Sequence, residues 1–361
     1  MKIRTTVLTL LGVFALNTAM PGDAHAVAHH AASKKSQAAK ATPKAEKAEK
    51  VAKSSKSGKA KGSKVAKAVE EKASSRRVAA HTPRHARHAV AAVSHDMDHE
   101  GNPQLQSAAF MVADQATGNV LLEKNSDSVV PIASITKLMT AMVVLDARLS
   151  LNEALTITQD DVDTLRGSSS HVPVGTELQR DDMLRLALMS SENRAAAALG
   201  RNYPGGLPAF VVAMNRKAAS LGLHDTRFSD STGLNSANVS SARDLVKMVS
   251  AASRYPLIRE FTTTANYVVS LNGRQRQFNN TNSLVGSPNW QIGVSKTGYI
   301  NESGKCLVMQ AWMLNKPMII VLLDSFGRFT RVADAQRVKR WLESAAVQQK
   351  LAAAGRHGPA T

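Results

Sequence analysis

Three apolar runs near the C-terminal end, residues 290–299 (WQIGVSKTGY), 305–314 (KCLVMQAWML) and 317–325 (PMIIVLLDS), are separated by only a few residues each. Their connections are hairpin turns, too short for the crossover a parallel pair requires, so the runs predict successive antiparallel strands. A second pair of alternating runs, SAAFMVADQATGNVLLEKN around Thr117-Gly118, predicts a hairpin at the front of the same region. Between them the periodicity is helical. The opening run VVPIASITKLMTAMVVLDA, then RDDMLRLALMSSENRAAAALGR with Asp181 and Asp182 in its first turn, GLPAFVVAMNRKAASLG, and SARDLVKMVSAASR behind a serine cap all read as helices. ANYVVSLNGRQRQFNN predicts a further hairpin turning at Asn272-Gly273, and RVADAQRVKRWLESAAVQQ a closing helix. Strands at both ends of a helical middle imply an α+β fold, an antiparallel sheet with helices packed on it.

The fold is confined to residues 104–349, because what precedes it cannot form a core. Residues 1–26 have the order of a secretory signal: Lys2 and Arg4, the apolar VLTLLGVFAL, then Ala24-His25-Ala26 as a cleavage site. That apolar run is shorter than the ~20 residues of a membrane span. Residues 27–103 are almost wholly Ala, Lys, Ser, His and Arg, with 17 Lys/Arg against 7 Asp/Glu and no aromatic residue, so ten of the formal +18 charges lie there. This stretch reads as a disordered basic arm. Export would remove it from nucleic acid and leave two readings, a solvated spacer or an electrostatic tether to anionic envelope polymers and lipid head groups. The arm's histidines are too irregularly spaced for a metal site. Residues 350–361 read as a flexible tail, and with no later apolar span the chain is expected to be periplasmic. Cys306 is the only cysteine, so no internal disulfide forms, and its apolar setting suits a buried hydrophobe better than a catalytic thiol.

Three short motifs carry chemistry. In S-x-x-K, Ser134 and Lys137 stand three apart at a helix start, so hydroxyl and amine share a face. A lysine is disfavoured there by the helix dipole, and burial in so apolar a helix would depress its pKa. A capping serine and a lysine reaching out to solvent would read identically. In S-x-N, Ser191 and Asn193 offer a proton-relaying hydroxyl and a substrate-orienting amide. In K-T-G, Lys296 and Thr297 can receive a carboxylate, while Gly298 lets a substrate backbone approach a strand. Each motif alone is weak; the order S-x-x-K, S-x-N, K-T-G is specific.

With IASITKLMTAMVVLDA, LMSSENRAA, DSTGLN and SKTGYINESGKCLVM, the region resembles the low-molecular-weight penicillin-binding proteins, serine D-Ala-D-Ala peptidases, and among them the D-alanyl-D-alanine endopeptidases of the penicillin-binding protein 7 type. The resemblance implies the β-lactamase/transpeptidase-like fold, an antiparallel sheet flanked by helices on both faces plus a helical subdomain. It implies Ser134 as nucleophile, Lys137 as its base, Ser191 as proton relay to the leaving amine, and Asn193 as the substrate amide's partner. Lys296 would bind the carboxylate and lower the Lys137 pKa, with Thr297 a second carboxylate contact and Gly298 completing the motif. Backbone N–H groups of Ser134 and Tyr299 would form the oxyanion hole. The partners implied are peptidoglycan peptides, with β-lactam antibiotics as covalent inhibitors; no metal or organic cofactor is implied, since nucleophile and base are both side chains.

Two relatives in chemistry compete with the endopeptidase. A class A β-lactamase requires a deacylating glutamate between the second and third motifs, and the only one is Glu260, followed by FTTTANY rather than the E-x-x-L-N pattern. A D,D-carboxypeptidase would use the same K-T-G. Many of those carry an added C-terminal β domain and anchor helix, where here only KLAAAGRHGPAT follows the last helix, and many have a small residue in place of Glu192. A wall-binding protein without activity would leave the motif set unexplained.

Overall fold

Residues 97–99, 101–327, 329–344, 347 and 349 are described in the computed structural model. The expected signal sequence, the arm before Met97 and the tail lie outside the described residues. Met97 already pairs with Pro103 in a β-bridge, and Trp341 Nε1 donates to Gly101 O at 3.0 Å. Ordered packing thus begins ahead of the expected boundary at Gln104.

In chain order the strands are β1 (Ser107–Asp114), β2 (Val120–Lys124), β3 (Val130–Pro131), β4 (Ala154–Thr156), β5 (Glu177–Gln179), β6 (Val239–Ser240), β7 (Asn266–Leu271), β8 (Arg274–Asn279), β9 (Gln291–Ile300), β10 (Gly304–Met313) and β11 (Lys316–Ser325). The helices are α1 (Thr136–Asp146), α2 (Arg180–Met189), α3 (Asn193–Arg201), α4 (Gly206–Ser220), α5 (Ala242–Ala252), α6 (Pro256–Thr263) and α7 (Thr330–Leu342). The main sheet runs β2-β1-β11-β10-β9, antiparallel throughout, so the chain's first strands close onto its last and β9 is left as an edge.

Alternation along the strands gives the sheet two apolar faces. Ala109, Met111, Val308, Ile319, Val321 and Leu323 face the larger core, shared with the six helices of the middle region. Phe110, Val112, Leu307, Met309, Ile320 and Leu322 face the smaller one, closed by Ala335, Val338, Trp341 and Leu342 of α7. Buried Asp334 ties α7 to β1: it accepts from the N–H groups of Gln106 and Ser107 and from Ser107 Oγ. The β7–β8 hairpin stands apart from the main sheet, and its turn places Asn272 and Gly273 at φ 51° and 80°, the conformation this dipeptide favours.

Two helical expectations change. Periodicity joins residues 180–201 into one helix, whereas the chain breaks after Met189 and restarts at Asn193, with Ser191 at φ 63° between. No Gly or Pro marks the break; contacts from β9, described below, hold it. α6 is an addition, a short helix opened by Pro256 at its first turn, where a missing N–H costs nothing.

Candidate active site

Ser134 sits in a 3-10 turn, Ala133–Ile135, that leads directly into α1. Ala133 is at φ 47°, a strained conformation for a residue with a Cβ. Two glycines allow neighbouring segments to close on this turn. A Cβ on Gly233 would lie 1.9 Å from the Ala133 carbonyl oxygen, and one on Gly298 would lie 2.7 Å from that of Ile132. Neither approach is open to any other residue.

Three acceptors surround the lysine one turn on. Lys137 Nζ donates to Ser134 Oγ at 2.8 Å, to Asn193 Oδ1 at 2.8 Å and to the Thr232 carbonyl at 2.7 Å. Asn193, the first residue of α3, donates in turn from Nδ2 to Ser168 Oγ at 3.0 Å. Thr232 is fixed by Asp230, whose carboxylate accepts from the N–H groups of Thr232, Gly233 and Asn235 at 2.6–2.8 Å. Lys296, on β9, donates to Ser191 Oγ at 2.9 Å and to the Thr297 carbonyl at 3.1 Å. That contact ties the break between α2 and α3 to β9, while the Thr281 N–H takes the Met189 carbonyl at the end of α2.

Both lysines are 1% exposed. Burial brings the Lys137 pKa down to about 7, against the opposing pull of the Asp230 and Glu192 carboxylates. Burial, then the neighbouring cations Lys137 and Arg331, hold Lys296 well below the usual lysine range. Repulsion between the two lysines adds to burial in disfavouring charge on both at once. Lys137 has two carboxylates nearby, while Lys296 has a hydroxyl, a carbonyl and two cations.

Of the remaining motif residues, Thr297 donates through Oγ1 to Thr281 Oγ1 at 2.7 Å, and the Gly298 carbonyl accepts from Arg331 Nη1 at 3.2 Å. Tyr299 follows on β9 with its ring exposed, its hydroxyl bonded to Asn301 and Lys305 Nζ 4.0 Å from the ring centre. All eight sequence-predicted positions thus lie on the elements that converge here. Sequence reasoning missed Ser168 and Arg331, whose partners are distant along the chain, and gave no role to Asp230. The D-S-T-G-L-N turn was a usable signal, because an Asp that folds back on the N–H groups following it is an Asx-turn signature.

Chemically, a serine hydroxyl against an amine poised near neutrality can serve as a nucleophile with its base. Arg331 places positive charge and Lys296 a buried amine donor along the same strand, and β9, as a sheet edge, keeps alternate backbone groups available to an extended ligand.

Comparison with known proteins decides the family. The model of the D-alanyl-D-alanine carboxypeptidase family, peptidase S11, matches residues 96–327. The chain belongs to this family. It is 50% identical over 253 residues to a D-alanyl-D-alanine endopeptidase of Pseudomonas aeruginosa, covering 70% of this chain and 82% of that protein. To the D-alanyl-D-alanine endopeptidase of Escherichia coli it is 48% identical over 254 residues, with the same coverage of both. Among solved structures, the Streptomyces K15 DD-transpeptidase superposes with a TM-score of 0.63 at 30% identity, over 66% of this chain and 98% of that one. The S11 chain is thus a serine D,D-peptidase of the penicillin-binding type, with the β-lactamase/transpeptidase-like fold.

Two other residues singled out in the sequence stand outside the chemistry. Glu260 lies on α6, where its carboxylate accepts from Arg185 at 2.8 Å on an exposed surface. Cys306 is fully buried on β10 and donates to the Ser303 carbonyl, its thiol pKa pushed up to about 11 by burial, which leaves it a hydrophobe.

Proposed function

We propose that this S11 enzyme cleaves the D-Ala–diaminopimelate cross-links of peptidoglycan through an acyl-enzyme on Ser134. One observation carries the proposal: Lys137 Nζ lies 2.8 Å from Ser134 Oγ with a pKa near 7, so a large share of the lysine is a free amine at neutral pH. In that state the Ser134 hydroxyl donates to Nζ and surrenders its proton as Oγ attacks the D-Ala carbonyl carbon. Backbone N–H groups of Ser134 and Tyr299 take the oxyanion. Ser191, bonded to Lys296, passes a proton to the leaving nitrogen as the C–N bond breaks and takes in its place the proton that Lys137 removed from Ser134, which returns Lys137 to the free amine. Water then hydrolyses the ester, with Lys137 again accepting the proton.

The leaving residue carries a free carboxylate, for which Lys296, Thr297 and Arg331 form a cationic and hydroxyl-bearing receptor, and Asn193 Nδ2 orients the donor amide. Penicillins present an amide carbonyl and a carboxylate in the same relation and would acylate Ser134. Glu260, the glutamate between the second and third motifs, is held on an exposed surface by Arg185, so that adduct is expected to be long-lived. Cross-link cleavage is preferred over terminal D-Ala trimming because the relatives at 50% and 48% identity are named endopeptidases, while those named carboxypeptidases are at 32% or below. Residues 1–26 would export the chain to the periplasm, where the basic arm 27–103 would hold it to anionic envelope polymers. Among the described residues no helix is long and apolar enough to cross a membrane.

Digestion of purified cross-linked muropeptides beside a monomeric pentapeptide, with products resolved by mass, tests the assignment. Conversion of dimers to monomers is expected. Release of free D-Ala with dimers left intact would make the enzyme a carboxypeptidase.

A further inference from the structure

One ion pair outside the catalytic centre stands where the donor peptide has to pass, given the substrate placement proposed above. If the leaving carboxylate lies at Lys296–Thr297 and the scissile carbonyl at the Tyr299 N–H, the donor stem runs on beyond the end of β9. An extended chain advances ~3.3 Å per residue, so the stem residue preceding the donor D-Ala is carried alongside Asn301 and Glu302.

Glu302 is met there by Arg166. The two guanidinium nitrogens Nη1 and Nη2 lie 2.9 Å from the two carboxylate oxygens, a parallel fork between segments 136 positions apart. Arg166 Nε donates separately to the Leu234 carbonyl, so the guanidinium stays in place without Glu302. Its segment is also prearranged: Asp163 accepts from the N–H groups of Leu165, Arg166 and Ser168 at 2.8–3.0 Å, and Ser168 holds Asn193. Arg166 is 21% exposed and Glu302 47%, and ion pairs so open to water contribute little to stability. A ligand can replace either member charge for charge.

We propose that Arg166 and Glu302 form a receptor for a zwitterionic amino-acid centre on the donor stem, with the ligand carboxylate on the Arg166 fork and its ammonium on Glu302. The ligand class is a stem peptide whose third side chain ends in a carbon bearing both a free amine and a free carboxylate, as diaminopimelate does. Bidentate arginine–carboxylate geometry supplies the selectivity.

Three cross-linked dimers test this, identical except at that donor side chain: one zwitterionic, one with the carboxylate amidated, one with the amine acetylated. The wild-type enzyme is expected to prefer the zwitterion in kcat/KM by about tenfold over each of the others. Arg166→Gln should abolish the preference over the amide and keep that over the acetylated dimer; Glu302→Gln should do the reverse. The retained half of the selectivity certifies that each variant is folded. Equal cleavage of all three dimers by the wild type, or loss of rate by the same factor on all three in either variant, would overturn the receptor. Failure of the wild type to cleave any dimer would instead defeat the cross-link reading on which the receptor rests.

Discussion

Replacing Glu192 by Gln should make the enzyme faster in acid. With Lys137 at about 7, the free-amine fraction is about one-half at pH 7, about one-tenth at pH 6 and about nine-tenths at pH 8. The second-order rate of acylation by a fluorescent penicillin should therefore fall about tenfold per pH unit below the midpoint and level off above pH 8. Glu192 is buried and favours the ammonium form of Lys137. Removing its charge lowers the lysine pKa further, so the acid limb moves to lower pH and the variant outpaces the wild type at pH 6. Gln keeps an oxygen for the Ser170 hydroxyl or the His171 N–H that Glu192 now accepts from, so the 168–172 segment retains an anchor. Labelling time courses between pH 5.5 and 8.5 on both proteins give the two midpoints. An acid limb that stays in place, or moves to higher pH, would refute the view that burial sets the Lys137 pKa against these carboxylates.

Gly298→Ala should cut penicillin acylation by about 10–100-fold with the fold retained, since its Cβ would stand 2.7 Å from the Ile132 carbonyl and push β9 off the Ser134 turn; labelling rates and circular dichroism check the two halves. Asp334→Ala leaves the buried Ser107 hydroxyl and the Gln106 and Ser107 N–H groups without their acceptor and should cost about 2–4 kcal/mol, read as a lower urea midpoint. An unchanged midpoint would remove that residue from the account of how α7 is held.

Strand alternation and turn chemistry made the sheet legible in advance. β9, β10 and β11 fall on the three apolar runs, the Thr117-Gly118 and Asn272-Gly273 hairpins turn where expected, and Ser241 caps α5 by accepting from the Asp244 N–H. These are local properties, decided by period two, φ > 0 and a free N–H. The break at Ser191 was illegible because helical periodicity runs straight through it and the contacts that hold it come from distant segments, Lys296 lying 105 positions away. Site residues were legible where the motif order carried them, as at Ser134, Lys137 and Asn193. Arg331 and Ser168 were not, since each reaches the site only through a contact that the fold creates. The electrostatics divided likewise: a buried lysine could be read from an apolar helix, but the carboxylates that oppose its shift, Asp230 and Glu192, lie on other segments.

Ser134, deprotonated by Lys137, is proposed as the acyl-forming residue. Its most direct test is brief exposure of the full chain to benzylpenicillin, proteolysis and peptide mass mapping. A penicilloyl mass increment on the peptide containing Ser134, absent in Ser134→Ala and strongly slowed in Lys137→Ala, is the result predicted. An adduct on another residue, or acylation that survives Ser134→Ala, would contradict it.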